Sequence, residues 1–169
     1  EVSVCASRID FKAGRVRLLS KVVDGAYPDY TRVVPRDNPI TYELDRKAFM
    51  GAAERMAAIS MEKSRSVVLE FGADTVNLTA RNHEGSKAEE PVEAIGNDHI
   101  RIGFNGSFLR DACAALGSER IVIAMSHPAN PALFTDPATP SPQCVQMPLR
   151  ARPPGALRRP TRPFPLGAA

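Results

Sequence analysis

The stretch TYELDRKAFMGAAERMAAIS, residues 41–60, is informative about the fold because its pattern indicates a short strand joined directly to an amphipathic helix. Asp45 has the residue type of a helix N-cap, and apolar residues follow it at spacings of one, three and four. This spacing is typical of a helix with one buried face. The stretch therefore predicts a strand over TYEL and a helix from about Asp45 to Ser60.

Residues 99–149 repeat this plan with a strand, HIRIGF, and a helix from about Ser107 to Leu116 that ends at Gly117. Three further strands follow each helix: SVVLEF, TVNLTAR and PVEAI in the first half, and RIVIAM, ALFTD and CVQMPL in the second. The halves share this order of elements but little sequence, so the repeat is structural. Both helices are buried if they pack side by side on one face of a curved antiparallel sheet. We therefore predict an α+β domain over residues 37–150.

Residues 1–36 and 151–169 flank this domain. SRIDFK and RVRLLSKVV predict a hairpin around Ala13-Gly14, and DGAYPDYTRVVP is a connector. An isolated hairpin is marginally stable in water, so this hairpin either packs on the rest of the chain or belongs to a domain whose other part is missing. The tail is rich in proline and arginine and is predicted to be disordered. Because the chain starts at Glu1, without a cap or a turn, it is expected to be a fragment.

The composition is that of a globular protein, with 43% hydrophobic and 24% charged residues. The sequence lacks a run of about 18 apolar residues and a signal peptide, which predicts a cytoplasmic protein without membrane contact. Four tail arginines (Arg152, Arg158, Arg159 and Arg162) account for the net charge of +3, and without them it is about −1. Any DNA contact therefore requires a local patch or other chain segments.

The sequence contains no motif of a known catalytic or metal site, and no cofactor is predicted. Cys5, Cys113 and Cys144 are odd in number and far apart, which argues against disulfides and a zinc site. Cys113 falls on the apolar face of the second helix and is interpreted as a core thiol. A thiol hydrolase built on Cys113 is the enzyme alternative.

The segment EGSKAEEPVE is rich in carboxylates but lacks the pattern of a calcium loop. Its charged residues Glu84, Lys87, Glu89 and Glu90 are expected to line an exposed strand edge, where charge opposes unwanted strand pairing. Alternatively, these acids contact a basic partner surface.

Four blocks together resemble the bacterial sliding clamp, the beta subunit of DNA polymerase III: SKVVDGAYPDYTRVVP, ISMEKSRSVVLEF, IRIGFNGSFLRDACAAL and VQMPLR. They occur in that family's order and spacing, over about residues 1–150. The resemblance implies that residues 1–36 are the end of the clamp's middle domain and the connector, and that residues 37–150 are its third domain. The implied structure is the DNA-clamp fold, with the helices on the inner face of a ring.

The resemblance also implies the function. Two three-domain subunits close head to tail around duplex DNA and tether the replicative polymerase without catalysing a reaction. The ring contacts phosphates without reading the sequence, and Lys47, Arg55 and Arg110 on the two predicted helices are the candidate DNA-facing residues. Ala58 and Ile59 match the family's subunit contact. The alternative is a clamp-derived peptide-binding module that does not encircle DNA.

In the family, a groove binds short linear motifs, of the QLxLF type, from the polymerase III alpha subunit, the clamp loader and repair polymerases. The residues here that match the groove are Pro28, Arg32, Val33, Asn105, Phe108, Val145, Met147, Pro148, Leu149 and Arg150. The other interpretation is that these residues pack the domain junction. Gln146 and Ser64 depart from the family pattern, Gln146 because that position is usually apolar. Nineteen residues follow Arg150, where the family normally ends.

Overall fold

The chain's structure, a computed structural model, describes residues 1–60, 65–82, 84–139 and 141–149. It divides into two units, Glu1–Arg32 and Val33–Ala169, and each unit contains its own antiparallel sheet. The division falls within the connector that the sequence predicted to extend to residue 36. The assignment of the first unit to the middle domain of a clamp stays a prediction.

The first unit, as far as the structure describes it, contains a sheet of three strands and a short 3-10 helix, Tyr30–Arg32. The strands are, in order, β1 (Val2–Cys5), β2 (Arg8–Ala13) and β3 (Val16–Lys21). The predicted hairpin of the last two strands is confirmed. Gly14 in its turn has a φ of +58°, which glycine adopts without a steric penalty. The sequence did not predict β1, which is short and pairs along β2. Large apolar side chains such as Val4 and Val16 are exposed, so these strands have no apolar core of their own.

The described part of the second unit contains eight antiparallel strands and two helices that pack on the sheet. The helices are α1 (Arg46–Ile59) and α2 (Gly106–Ala115). The strands are β4 (Ile40–Asp45), β5 (Ser66–Phe71), β6 (Thr75–Arg81), β7 (Lys87–Gly96), β8 (Ile100–Asn105), β9 (Arg120–Met125), β10 (Ala132–Thr135) and β11 (Gln143–Gln146). Across the sheet their order is β11-β10-β9-β4-β7-β6-β5-β8. The predicted α+β repeat of a strand, a helix and three strands is confirmed.

Two strand boundaries differ from the sequence prediction by three residues or more. β7 begins at Lys87, before the predicted PVEAI, because its first half lies beside β6 and alternates exposed polar residues with less exposed ones. β4 pairs with β7 only from Ala94 to Gly96. β11 ends at Gln146, before the predicted end of CVQMPL, where Pro148 has no N–H for a strand ladder.

Both helices begin at a capped residue and bury one face. The Asp45 Oδ1 accepts a hydrogen bond from Ala48 N at 2.7 Å, which confirms the predicted cap of α1. The Asn105 Oδ1 accepts one from Ser107 N at 2.9 Å at the start of α2. Their buried residues are Phe49, Ala52, Ala53, Met56 and Ala57 in α1, and Gly106, Leu109, Ala112 and Cys113 in α2. These faces join the inner face of the sheet in one hydrophobic core.

The two halves of this unit contact each other in corresponding ways at their helix starts. The first N–H of α1, on Arg46, donates to Glu119 O at 2.8 Å, just before β9. The first N–H of α2, on Gly106, donates to Arg65 O at 2.9 Å, just before β5. Each helix therefore begins against the strand that follows the other helix, and the halves are related by an approximate twofold symmetry.

Candidate functional site

Several candidate groove residues of the second unit lie near the place where the end of β11 meets the first turn of α2. The Gln146 Nε2 donates a hydrogen bond to Phe108 O at 3.2 Å. Cys144, two residues earlier on β11, has its Sγ 3.9 Å from Ala112 O, one turn further along α2. The side chains of Cys144 and Gln146 therefore face α2, and β11 lies along this helix.

Two large apolar side chains are exposed at this junction. The Phe108 side chain on α2 is 57% exposed, and the Met147 side chain directly after β11 is 63% exposed. The hydrogen bond between Gln146 and Phe108 O joins the elements that carry these two residues, and contiguous exposed apolar surface is typical of interaction sites. Asn105 lies next to them, but its side chain caps α2, so its role in the described structure is to begin the helix.

The last described residues cross from β11 to the opposite edge of the sheet. Leu149 N donates to Gly103 O of β8 at 2.7 Å, and the two residues form an isolated antiparallel bridge. Pro148 and Leu149 are half-buried. The segment 147–149 therefore follows the edge of β8, which pairs with β5 on its other side.

Val145 lies on the other side of the sheet from Phe108. Neighbouring side chains of a strand point to opposite faces, so Val145 faces away from α2, between Cys144 and Gln146. Its cross-strand partner is Leu133, which is also half-buried. A groove that includes both Val145 and Phe108 must therefore pass around the end of β11.

The remaining groove candidates fall in other parts of the chain. Pro28 and Arg32 are exposed residues of the first unit, and Arg32 Nε lies 3.9 Å from Asp29 Oδ2. Val33, at the start of the second unit, is 55% exposed. Arg150 lies outside the described residues, as do Ser64 and the tail from 151 to 169. The shared groove of these residues stays a prediction.

Two of the three candidate DNA-facing residues form ion pairs with acids. The Arg55 Nε donates to Glu90 Oε2 at 3.0 Å, and this hydrogen bond raises the pKa of Arg55 and lowers the pKa of Glu90. The Arg110 Nε donates to Asp111 Oδ1 at 3.0 Å. Lys47 is exposed in the first turn of α1. Each arginine's charge is therefore balanced locally.

The candidate subunit contact lies at the end of α1, where Ala58 is exposed and Ile59 is half-buried against the core. The predicted charged strand edge is present in the first half of β7, since its residues from Lys87 to Glu93 pair with β6 alone among the described strands. Glu89 is exposed there and Glu90 is half-buried.

Cys113 is buried in the core, as predicted, and is fully inaccessible to solvent. Burial raises the pKa of its thiol to about 12, so the thiolate that a nucleophile requires is not formed near neutral pH. The described residues contain no group of three or more metal-ligating side chains. Within the described ranges, neither helix is long and apolar enough to cross a membrane.

The role of Gln146 was missed by sequence reasoning. Its departure from an apolar family position was visible in the sequence, but the acceptor, Phe108 O, is a backbone atom on another element. A half-buried amide next to apolar residues at the end of a strand is a signal that the side chain has a hydrogen-bonding role. The identity of that partner requires the tertiary structure.

The solved structures that this chain resembles include bacterial sliding clamps. The Caulobacter crescentus beta sliding clamp matches with a TM-score of 0.84 and 41% identity, over 89% of this chain and 41% of that chain. The Pseudomonas aeruginosa sliding clamp, solved with griselimycin bound, matches with a TM-score of 0.82 and 32% identity, over 89% and 41%. The fold is therefore the sliding-clamp fold.

Sequence comparison leads to the same class. The beta sliding clamp of Caulobacter vibrioides is 41% identical over 151 residues, which cover 89% of this chain and 41% of the relative. The family model of the DNA polymerase III beta subunit, C-terminal domain, matches residues 31–150. The chain belongs to this family. It spans about two fifths of the length of that Caulobacter relative.

Proposed function

We propose that this chain serves as part of a sliding clamp, which tethers the replicative DNA polymerase to duplex DNA and catalyses no reaction. Its family membership supports the processivity role. We further propose that it binds linear motifs of the polymerase III alpha subunit, the clamp loader and repair polymerases. The observation that carries the peptide-binding proposal is the pair of exposed apolar side chains, Phe108 and Met147, at the junction of α2 and β11.

The chemistry of this junction suits a short peptide with apolar anchor residues. An aliphatic or aromatic anchor that covers Phe108 and Met147 removes apolar surface from water, which supplies most of the affinity in such complexes. The outer edge of β8, which among the described residues is paired only through Leu149, offers backbone hydrogen-bonding groups that give orientation. Pro28, Arg32, Val33, Val145, Pro148 and Arg150 are the further residues that we assign to the groove.

The test is a fluorescence-polarisation titration of a labelled QLxLF-type peptide against the full chain, Phe108→Ala and Met147→Ala. We expect saturable binding by the parent and about a tenfold higher Kd for each variant, because each loses part of an anchor contact. Ile95→Ala is the matched control, since Ile95 is also a large exposed side chain, at 71%, but lies on β7. A folded parent that does not bind, or variants that bind like the control, would contradict the proposal.

For the DNA contact, we propose that the two helices face the duplex in an assembled ring. Lys47 is expected to contribute more than Arg55 or Arg110, because the neighbouring acids Glu90 and Asp111 repel phosphates. In assembled rings, Lys47→Ala should therefore reduce the salt-dependent DNA affinity more than Arg55→Ala. Equal losses, or a larger loss for Arg55→Ala, would overturn this order.

For assembly, we propose that Ala58 and Ile59 contact the first domain of a second subunit, which gives a homodimer in the complete clamp. Analytical ultracentrifugation can test this with the isolated first domain of the Caulobacter vibrioides clamp as the partner. We expect association with the chain, its loss in Ala58→Glu, and its retention in Ala114→Glu, which changes an exposed alanine of α2. Association that survives Ala58→Glu would exclude this contact.

The second candidate is a clamp-derived module that binds peptides but does not encircle DNA. The pairing of Arg55 and Arg110 with acids favours it, because these pairs reduce the positive charge of the helix face. Peptide binding without association with the first domain would support the module. Both interactions together would support the clamp.

A further inference from the structure

The side chain of Gln146 joins the end of β11 to the first turn of α2. Its Nε2 lies 3.2 Å from Phe108 O, and the Cys144 Sγ lies 3.9 Å from Ala112 O. Two strand residues span about 6.6 Å and four helical residues about 6 Å, so the two contacts have matching spacing along the strand and the helix. The hydrogen bond of Gln146 is the last of these contacts before Met147.

An amide at this position makes a directional hydrogen bond, which an apolar side chain cannot make. Gln146 is half-buried and its hydrogen bond to Phe108 O is exposed, so water competes for the amide and the net stabilisation by this bond is modest. Phe108 O can accept this bond because a carbonyl oxygen has two lone pairs, one of which remains when a helical bond is made. The amide therefore orients the end of β11 relative to one specific carbonyl of α2.

The residues on both sides of Met147 make hydrogen bonds to other elements, one through a side chain and one through the backbone. Before Met147, the Gln146 side chain is bonded to Phe108 O, and after it Leu149 N is bonded to Gly103 O at 2.7 Å. Between them, Pro148 restricts the backbone because its φ is fixed near −65°. Exposed Met147 is thus presented by a backbone with little freedom, close to the helical turn that carries Phe108.

We propose that Gln146 is a positioning residue of the peptide groove: its amide donates to Phe108 O and sets the path of the segment 147–149 beside Phe108. This inference rests on the peptide-binding function proposed above. Gln146 does not touch the bound peptide in this proposal; it affects peptide binding by setting the position of Met147.

The test compares three substitutions of Gln146 in the full chain, with the same labelled QLxLF-type peptide. Gln146→Lys keeps an N–H donor, Gln146→Met keeps the size without a donor, and Gln146→Glu is isosteric but places a carboxylate against the carbonyl. We expect a Kd near that of the parent for Gln146→Lys, about fivefold higher for Gln146→Met and at least tenfold higher for Gln146→Glu. A side chain that only fills space gives the opposite order for Gln146→Met and Gln146→Lys.

A second readout without peptide makes the inference independent of the peptide-binding result. Hydrogen exchange of the Leu149 amide should be about tenfold faster in Gln146→Met than in the parent, and parent-like in Gln146→Lys, with unchanged exchange in the buried strand β4. If the parent binds the peptide and Gln146→Met binds it with the same Kd, the positioning role is overturned and the proposed function stays intact. If the parent does not bind, the proposed function fails, and the exchange rates decide: unchanged Leu149 exchange in Gln146→Met overturns the role of Gln146.

Discussion

The two halves of the second unit have the same order of elements, but their first strands, β4 and β8, are paired differently. In the first half, β4 lies between β9 and β7 and forms a ladder of three residue pairs with β7, from Tyr42–Gly96 to Leu44–Ala94. In the second half, β8 lies at the end of the sheet, and its outer side is paired within the described residues through the single bridge from Gly103 to Leu149. The open junction is the one that exposes Phe108 and Met147.

The helix starts differ in the same comparison. The Arg46 guanidinium at the start of α1 donates from Nη1 to Cys113 O at 3.2 Å and from Nε to Ser118 O, so it also caps the end of α2. The corresponding residue of α2 is Gly106, which has no side chain and packs directly on α1. At the start of α2, the hydrogen-bonding arginine belongs to the neighbouring segment before β5: Arg65 Nη1 donates to Ser107 Oγ at 2.8 Å. The start of α1 therefore depends on the side chain of its first residue, whereas the start of α2 depends on the lack of one.

The largest loss of stability is expected at Gly106, where α2 packs closely on α1. In Gly106→Ala, the new Cβ would lie 2.7 Å from Ala57 Cβ and 2.8 Å from Val67 Cγ2, so α1 and α2 must move apart. Overpacking of this kind should lower the free energy of unfolding by about 3 kcal/mol, measured by urea denaturation. Gly117→Ala is the control, because nothing lies within 4 Å of its Cβ position. Equal stability of the two variants would show that this helix contact is loose.

The arginine junction should show a smaller loss. Arg46→Met removes the charged donors to Cys113 O and Ser118 O but keeps most of the apolar stem. We expect the free energy of unfolding to fall by about 2 kcal/mol, because carbonyls at the end of α2 lose a charged donor. Lys47→Met, at the exposed neighbouring position, should leave the urea midpoint nearly unchanged. A similar urea midpoint for both variants would show that Arg46 does not stabilise the junction.

The open and closed edges should differ in hydrogen exchange. We expect the Leu149 amide to exchange about tenfold faster than the amides in the β4–β7 ladder, since a single bridge opens more easily than a ladder with neighbours on both sides. Residue-resolved exchange measured by NMR in the free chain checks this. Equal protection at both edges would mean that the second half is closed as firmly as the first.

The smallest effect concerns the core that both halves share. Burial raises the pKa of Cys113 to about 12, whereas an unfolded cysteine titrates near 8.5. Between these values the folded state binds more protons than the unfolded state, so this thiol's contribution is present below about pH 8.5 and is lost as the pH rises. From pH 8 to 9.5, the parent should lose about 1 kcal/mol more than Cys113→Ala. Parallel pH profiles of the two proteins would contradict the raised pKa.

Helix positions were predictable from the sequence because each helix carries a local cap and an apolar stripe. Asp45 and the spacing of the residues after it depend on neighbours within one or two turns. β1 and the first half of β7 were harder, because a short strand and a half-exposed strand lack a strong apolar pattern. Of the candidate groove, the sequence indicated Phe108 and Met147 through a family resemblance, while their common location at one junction is a property of the packing of β11 on α2.

The order of elements in the second unit, the two helices, the burial of Cys113 and membership of the sliding-clamp family could be read from the sequence, because they depend on local patterns and on the spacing of motifs within the chain. The tertiary structure alone decided that β4 is enclosed while β8 keeps an open edge, that Arg55 and Arg110 are paired with acids, and that Gln146 donates to Phe108 O. The physical reason is that each of these depends on a partner from another element or on how side chains turn in space, which neither spacing nor composition specifies.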